Sequence, residues 1–238
     1  MPVWTPDGKR IVYSSDDPAG GRELRSVPAD GSGPPVTLAT MAGRATSIST
    51  DGRLILGESY DRADNGLVHA WVLPVGDNPP GETPAFRSFL ATTFNERDAM
   101  FSPDGRFIAY VSDESGRDEV YVVPYPGPGA KSQISTDGGQ APRWHPNGPE
   151  LFYVSAGRLM AVSFEATPTF RPQTPRVLFS NPARLGGSIT GTIPYSVAPD
   201  GERFLMLKLV RAPDLASVRE LRTIVNWFDD LRRLAPAR

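Results

Sequence analysis

The chain has 238 residues, with 25 Lys and Arg against 27 Asp and Glu and no long run of either sign, which argues against a nucleic-acid footprint and an acidic tail. Cysteine is absent, excluding disulfides, thiolate catalysis and sulfur-rich metal sites, and the two histidines, His69 and His145, stand too far apart in sequence to support a zinc site by themselves. With 39% apolar residues, 25 Pro and 23 Gly, the composition describes a buried core cut by many turns, in the size range where all-β chains run as one domain.

Taken in chain order, the start from Met1 to Asp7 lacks the basic and apolar stretches of a signal peptide. No apolar run nears the ~20 residues of a membrane-spanning helix. The expectation is a soluble chain without an export address or a membrane span. Five segments then repeat one pattern: WTPDGKRIVYSS from Trp4, ISTDGRLILGES from Ile48, FSPDGRFIAYVSDESG from Phe101, WHPNGPELFYVS from Trp144 and VAPDGERFLMLK from Val197. They recur at close to the ~40 to 50 residues of a propeller blade.

The turn that opens the segments, with Ser or Thr first in three of the five, Pro second in four with its φ already set, and Gly fourth in all, describes a type I turn between antiparallel strands. The run after it is β-branched and aromatic, as in Arg106 to Ser112 and Glu150 to Ser155, and has the length of a strand. A third strand follows at Glu23–Pro28, His69–Pro74 and Glu119–Pro124, closed each time by a proline that cannot donate to a ladder. A fourth, weaker one is read at Val36–Ala39, Phe86–Leu90, Ser132–Ser135 and Arg176–Phe179. Four antiparallel strands per repeat predict an all-β fold, a β-propeller with five countable blades at about 1–40, 41–92, 93–136, 137–180 and 181–238, forming a single domain. At the end, Trp227, Phe228, Leu231 and Leu234 are spaced for one face of a short C-terminal helix.

The stretch from Ser102 to Ser155, SPDGRFIAYVSDESGRDEVYVVPYPGPGAKSQISTDGGQAPRWHPNGPELFYVS, resembles the TolB-like, WD-repeat-like propellers. More narrowly, with the ending Thr223 to Leu231, it resembles propellers at the C-terminus of bacterial membrane-anchored serine/threonine kinases. That resemblance implies a sensor or scaffold region outside the cytoplasm. Family propellers usually have six or more blades, so five imply a truncated piece. The chain itself carries no Gly-rich phosphate loop, Val-Ala-Ile-Lys, His-Arg-Asp or Asp-Phe-Gly motif, and no kinase activity is expected of it.

Other candidate chemistry reduces to structure. Asp7, Asp51, Asp104 and Asp200 fall in equivalent turns on separate blades and are read as turn residues. Gly127 to Ser132 lacks Walker spacing and is read as a loop between strands. Asp61 to Gly66 lacks the phase of a calcium loop, and Gly186 to Gly191 is no nucleophile elbow and has no His after it. Trp4, Phe101 and Trp144 share one repeat position and are assigned to packing between blades. His145 takes the first turn position, where its side chain can cap the backbone, and His69 begins a strand.

What remains is the rim, where the chain enters each inner strand: Arg44, Glu96, Arg97, Asp98, Gln140 and Thr192. This polar, mixed-charge set fits a protein or peptide partner better than a deep apolar pocket. The function expected is therefore non-catalytic binding, with no catalytic, cofactor-binding or metal-binding residues. The alternatives are a TolB-like periplasmic assembly role, or a propeller hydrolase, lyase or peptidase-associated propeller, for which only Glu96 and Asp98 are even loosely placed.

Overall fold

A computed structural model of the chain describes residues 2–16, 22–40, 43–61, 66–76, 85–127, 129–167, 169–180 and 195–206. Contacts divide the chain into Met1–Leu207, which holds all of these, and Lys208–Arg238. The third strand of the fifth blade, the C-terminal helix, Thr192 and most of the two loops Asp61–Gly66 and Gly186–Gly191 lie outside the described residues.

The described residues form strands and no helix, so none is long and apolar enough to cross a membrane. The first sheet runs β1 (Val3–Trp4), β2 (Arg10–Asp16), β3 (Arg22–Pro28) and β4 (Val36–Thr40). The second runs β5 (Arg44–Ile48), β6 (Leu54–Asp61), β7 (Leu67–Pro74) and β8 (Arg87–Leu90), and the third β9 (Glu96–Phe101), β10 (Phe107–Ser112), β11 (Glu119–Pro124) and β12 (Ser132–Gln133). The fourth holds β13 (Gln140–Trp144), β14 (Glu150–Ser155) and β15 (Arg158–Glu165), whose edge pairs with both β16 (Arg171–Pro172) and β17 (Arg176–Ser180). Of the fifth, β18 (Tyr195–Val197) and β19 (Phe204–Met206) are described. All pairings are antiparallel and follow chain order, which is the meander of a propeller blade.

The turns behave as their residues dictate. The amides of Gly8, Gly52, Gly105 and Gly201 donate to the carbonyls of Thr5, Ser49, Ser102 and Ala198 at 2.8–2.9 Å, and each of these glycines takes a positive φ. The Asp between them accepts from the backbone two residues on, at Lys9, Arg53, Arg106 and Glu202. In the fourth turn His145 Nδ1 takes that role, accepting from the Asn147 amide at 3.1 Å. The fourth strand at Ser132 stops two residues short of its expected end, because the Ser135 hydroxyl replaces a ladder carbonyl as acceptor for the Val120 amide at 2.8 Å.

Each core cluster spans two successive blades. On β10, Phe107, Ala109 and Val111 pack toward the fourth blade with Trp144, Leu151 and Tyr153, whereas Ile108 and Tyr110 pack toward the second with Leu56 and Val72. A strand sandwiched on both faces must be apolar on both, which is why all six residues of β10 are buried. The innermost strands β1, β5, β9 and β13 are successive neighbours. Trp144 and Phe101 fill the seams between blades as their position implies, each about 5% exposed, but Trp4 is 58% exposed. Its counterparts lie against the blade that precedes their own, and no described blade precedes the first.

Candidate functional site

The starts of β5, β9 and β13 bring the rim residues into two linked groups. Arg44, Arg97 and Gln140 hold the same place in successive repeats, and β9 lies between β5 and β13. Arg44 Nε donates to Glu58 Oε1 at 2.8 Å and its Nη2 to Asp98 Oδ1 at 3.2 Å, while the Asp98 amide donates to Glu58 Oε2 at 2.9 Å. Glu58 sits at 1% exposure. Burial pushes its carboxyl up from the ordinary value despite the neighbouring guanidinium. This triangle ties the second blade to the third.

The second group joins the third blade to the fourth. The Arg97 guanidinium pairs with Asp118, whose other oxygen accepts from Gln140 Nε2 at 2.8 Å, leaving the buried Arg97 Nε without a partner. Glu96 points elsewhere: its buried carboxylate meets His69 Nδ1 at 3.1 Å and accepts from the Thr92 hydroxyl. His69 is thus the partner of a carboxylate on the neighbouring blade.

The inner strands carry bulges at this level. Asp98 and Ala141, at the same place in their repeats, have φ of 52° and 53°, where the register of β9 on β10 and of β13 on β14 slips. Such bulges re-aim side chains next to functional sites.

Arg143 on β13 was not among the rim residues read from sequence. Its guanidinium donates to Met100 Sδ at 2.7 Å and to the Pro142 carbonyl at 2.6 Å, and no carboxylate pairs with it among the described residues. Burial drives its pKa down, with Tyr195, Asp98 and Arg44 close enough to be felt electrostatically. The available signal was positional: the other copies carry Val3, Ser47, Met100 and Ser196 there, so Arg143 is the only charge in its column.

The turn carboxylates are held by their own turns. Asp7 and Asp51 lie below the ordinary carboxylate range chiefly through the hydroxyls of Thr5 and Ser49, and Asp200 through Arg203. Among the described residues no group of three His, Asp or Glu could hold a metal ion.

No protein-family model matches the sequence, and no curated protein matches it. Solved structures do match. A TolB from Agrobacterium tumefaciens superposes with a TM-score of 0.58 at 15% identity, over 74% of this chain and 63% of that one. A puromycin-hydrolyzing peptidase from Mycobacterium tuberculosis gives 0.57 at 19% identity over 84% and 34%, and a chain of a nidogen/laminin complex 0.51 at 13% over 68% and 59%. The chain therefore spans less than two thirds of the length of each. At these identities the likeness is one of fold, and it places the chain in a class: an all-β protein of four-stranded propeller blades. Within that class the blades superpose on those of TolB proteins.

Proposed function

We propose that the chain is a non-catalytic binding module that takes up a protein or peptide along the starts of its inner strands, with Arg143 receiving a carboxylate of that partner. The observation that carries this reading is the half-buried guanidinium of Arg143, bonded to a thioether and a carbonyl and, among the described residues, to no acid. A desolvated charge without a counter-ion is costly, and arginine matches a carboxylate with two parallel donors. Arg97 and Gln140, at the starts of the neighbouring strands, offer further donors. Glu96 and Asp98 are held in bonds to His69, Thr92 and Arg44, which supports a role in positioning rather than acid–base chemistry.

The wider setting we infer is the sensor end of a bacterial receptor-type serine/threonine kinase, on the resemblance of the blade motif and the Thr223 to Leu231 ending. DNA upstream of the Met1 codon is then expected to encode kinase catalytic motifs followed by a hydrophobic span. A hydrolase domain encoded alongside the propeller would instead favour a peptidase-associated role, the setting that the likeness to the mycobacterial peptidase supports.

The binding reading is tested by selecting a displayed random-peptide library on the immobilised chain. Acidic sequences are expected to be enriched, and Arg143→Gln to weaken them at least about thirtyfold, the lower end for losing one partner of a buried charge pair. Enriched peptides without an acidic residue, or equal affinity for a folded Arg143→Gln variant, would count against it.

A further inference from the structure

The fourth of the five turns differs from the others at its third residue, where Asn147 stands in place of Asp7, Asp51, Asp104 and Asp200. Gly148 follows it, and with no Cβ in the way the nitrogen of a glycine can attack the side-chain amide of a preceding asparagine. In the other four turns that nitrogen is occupied, since the amides of Gly8, Gly52, Gly105 and Gly201 donate back across the turn at 2.8–2.9 Å. The Gly148 amide has no acceptor among the described residues. The His145 ring lies against this turn, accepting from the Asn147 amide at 3.1 Å, and a Cβ on Gly148 would meet its Nδ1 at 3.0 Å.

The Asn147 side chain is itself in use. Its Nδ2 donates at 2.8 Å to the Pro199 carbonyl, in the turn of the fifth blade. Between the second and third blades the Thr50 hydroxyl makes a similar link to the Pro103 carbonyl at 2.6 Å. A carboxylate at position 147 cannot make this bond, because it donates nothing and faces a carbonyl oxygen. It also gains nothing locally. The aspartates of the other turns accept from the amides of Lys9, Arg53, Arg106 and Glu202, whereas the residue two on from Asn147 is Pro149, which has no amide to offer.

We propose that Asn147 is a site of spontaneous deamidation that unlatches the turn of the fifth blade from that of the fourth. The Gly148 nitrogen loses its proton to hydroxide and attacks Asn147 Cγ; the Cγ–Nδ2 bond breaks and ammonia leaves. Water then opens the cyclic imide to an aspartate or an isoaspartate, so one water is consumed for each ammonia released. The latch goes with the departing nitrogen. The core of this junction, with Phe152, Leu159, Tyr195 and Phe204, is not part of the reaction, so the change is confined to the turns.

The test follows the folded full chain in mildly alkaline buffer by peptide mapping and mass spectrometry, which separates this site from Asn65–Gly66, the other Asn-Gly pair in the sequence. Asn147 is expected to convert to aspartate and isoaspartate, faster at higher pH, and Asn147→Gln, whose longer side chain must close a larger ring, to stay unmodified there. An Asn147 that stays intact in the folded chain, under conditions that convert it in the urea-unfolded chain, would overturn the proposal. The consequence is read separately in Asn147→Asp. Its Gly201 amide is expected to exchange with deuterium faster than in the wild type, with Gly105 unchanged. Its unfolding midpoint is expected to fall by about 2 to 4 °C, the shift for one lost hydrogen bond in a chain of this size. Unchanged exchange at Gly201 would equally overturn it, since the modification would then release nothing.

Discussion

The second and third blades share strand order and turn chemistry, yet they fill corresponding places with different physics. Where β10 places Tyr110 and Val111, β6 places Gly57 and Glu58. In the third blade the rings of Tyr110 and Tyr121 lie 5.8 Å apart; in the second, Trp71 takes the place of Tyr121, and its larger ring lies over Gly57. Val111 needs no partner, but buried Glu58 needs Arg44 and the Asp98 amide. The repeat therefore preserves summed volume and satisfied charge rather than residue identity, the condition close packing imposes.

The charge difference gives the largest expected effect. Arg44→Ala leaves Glu58 buried without its counter-ion and is expected to cost about 3 to 5 kcal/mol. The same truncation of Arg97, which faces Val111 and pairs with half-exposed Asp118, should cost far less. The pH dependence separates the two. Because the folded-state carboxyl of Glu58 is raised, its contribution is most favourable below the unfolded value and is lost as pH rises through the folded one. Removing Arg44 raises it further, so the deficit of Arg44→Ala should grow from acid toward neutral pH in urea titrations. A deficit that shrinks over that range would refute the assignment.

The volume difference comes next. A Cβ on Gly57 would lie 2.1 Å from a Trp71 ring carbon and 2.5 Å from the Arg44 carbonyl, so Gly57→Ala should destabilise by about 2 to 3 kcal/mol through overpacking. Thermal unfolding within a degree of wild type would show that the ring does not rest there.

A smaller effect is expected at the latches between blades. Between the second and third, buried Glu96 depends on His69 and Thr92. Between the third and fourth, the buried carboxylate is Glu119 on the third strand, held by Arg117 at 2.8 Å, the Ser135 hydroxyl and the Gly138 amide at 3.0 Å. His69→Ala removes one of two side-chain partners and should cost about 1 to 2 kcal/mol, whereas Arg117→Ala leaves two donors and should cost under about 1. Equal losses would mean that the latches are not equivalent devices.

The sequence makes the blades legible because the turns are written in residues that solve a local problem: glycine in all five, proline for φ in four, and in three a hydroxyl to fix the aspartate. Strand ends at Pro28, Pro74 and Pro124 follow from the missing amide in the same way. That Arg44, Arg97, Asp98 and Gln140 fall on successive inner strands is legible from their place in the repeat. Their bonding is not, because Glu58 is hidden in an apolar run and His69 meets Glu96 across 27 residues. Trp4 shows the limit of reading by alignment: its column implies burial, but burial needs a neighbour.

The two bulges make the finest comparison, since one backbone conformation is imposed there on different residues. At Ala141 the left-handed φ costs about 1 kcal/mol or more, and the only compensation described is the Tyr195 hydroxyl, which donates to the Ala141 carbonyl at 2.9 Å. Ala141→Gly removes that cost and gives back part of it in unfolded-chain entropy, for a net gain of about 0.5 kcal/mol. Asp98 tolerates the conformation better and accepts from Arg44 through its side chain, so Asp98→Gly should lose about 1 kcal/mol instead. Opposite signs in parallel urea titrations would establish that the bulge at Ala141 is held by the surrounding blade and the bulge at Asp98 by its own side chain; a gain at both would leave the Arg44 contact without energetic weight.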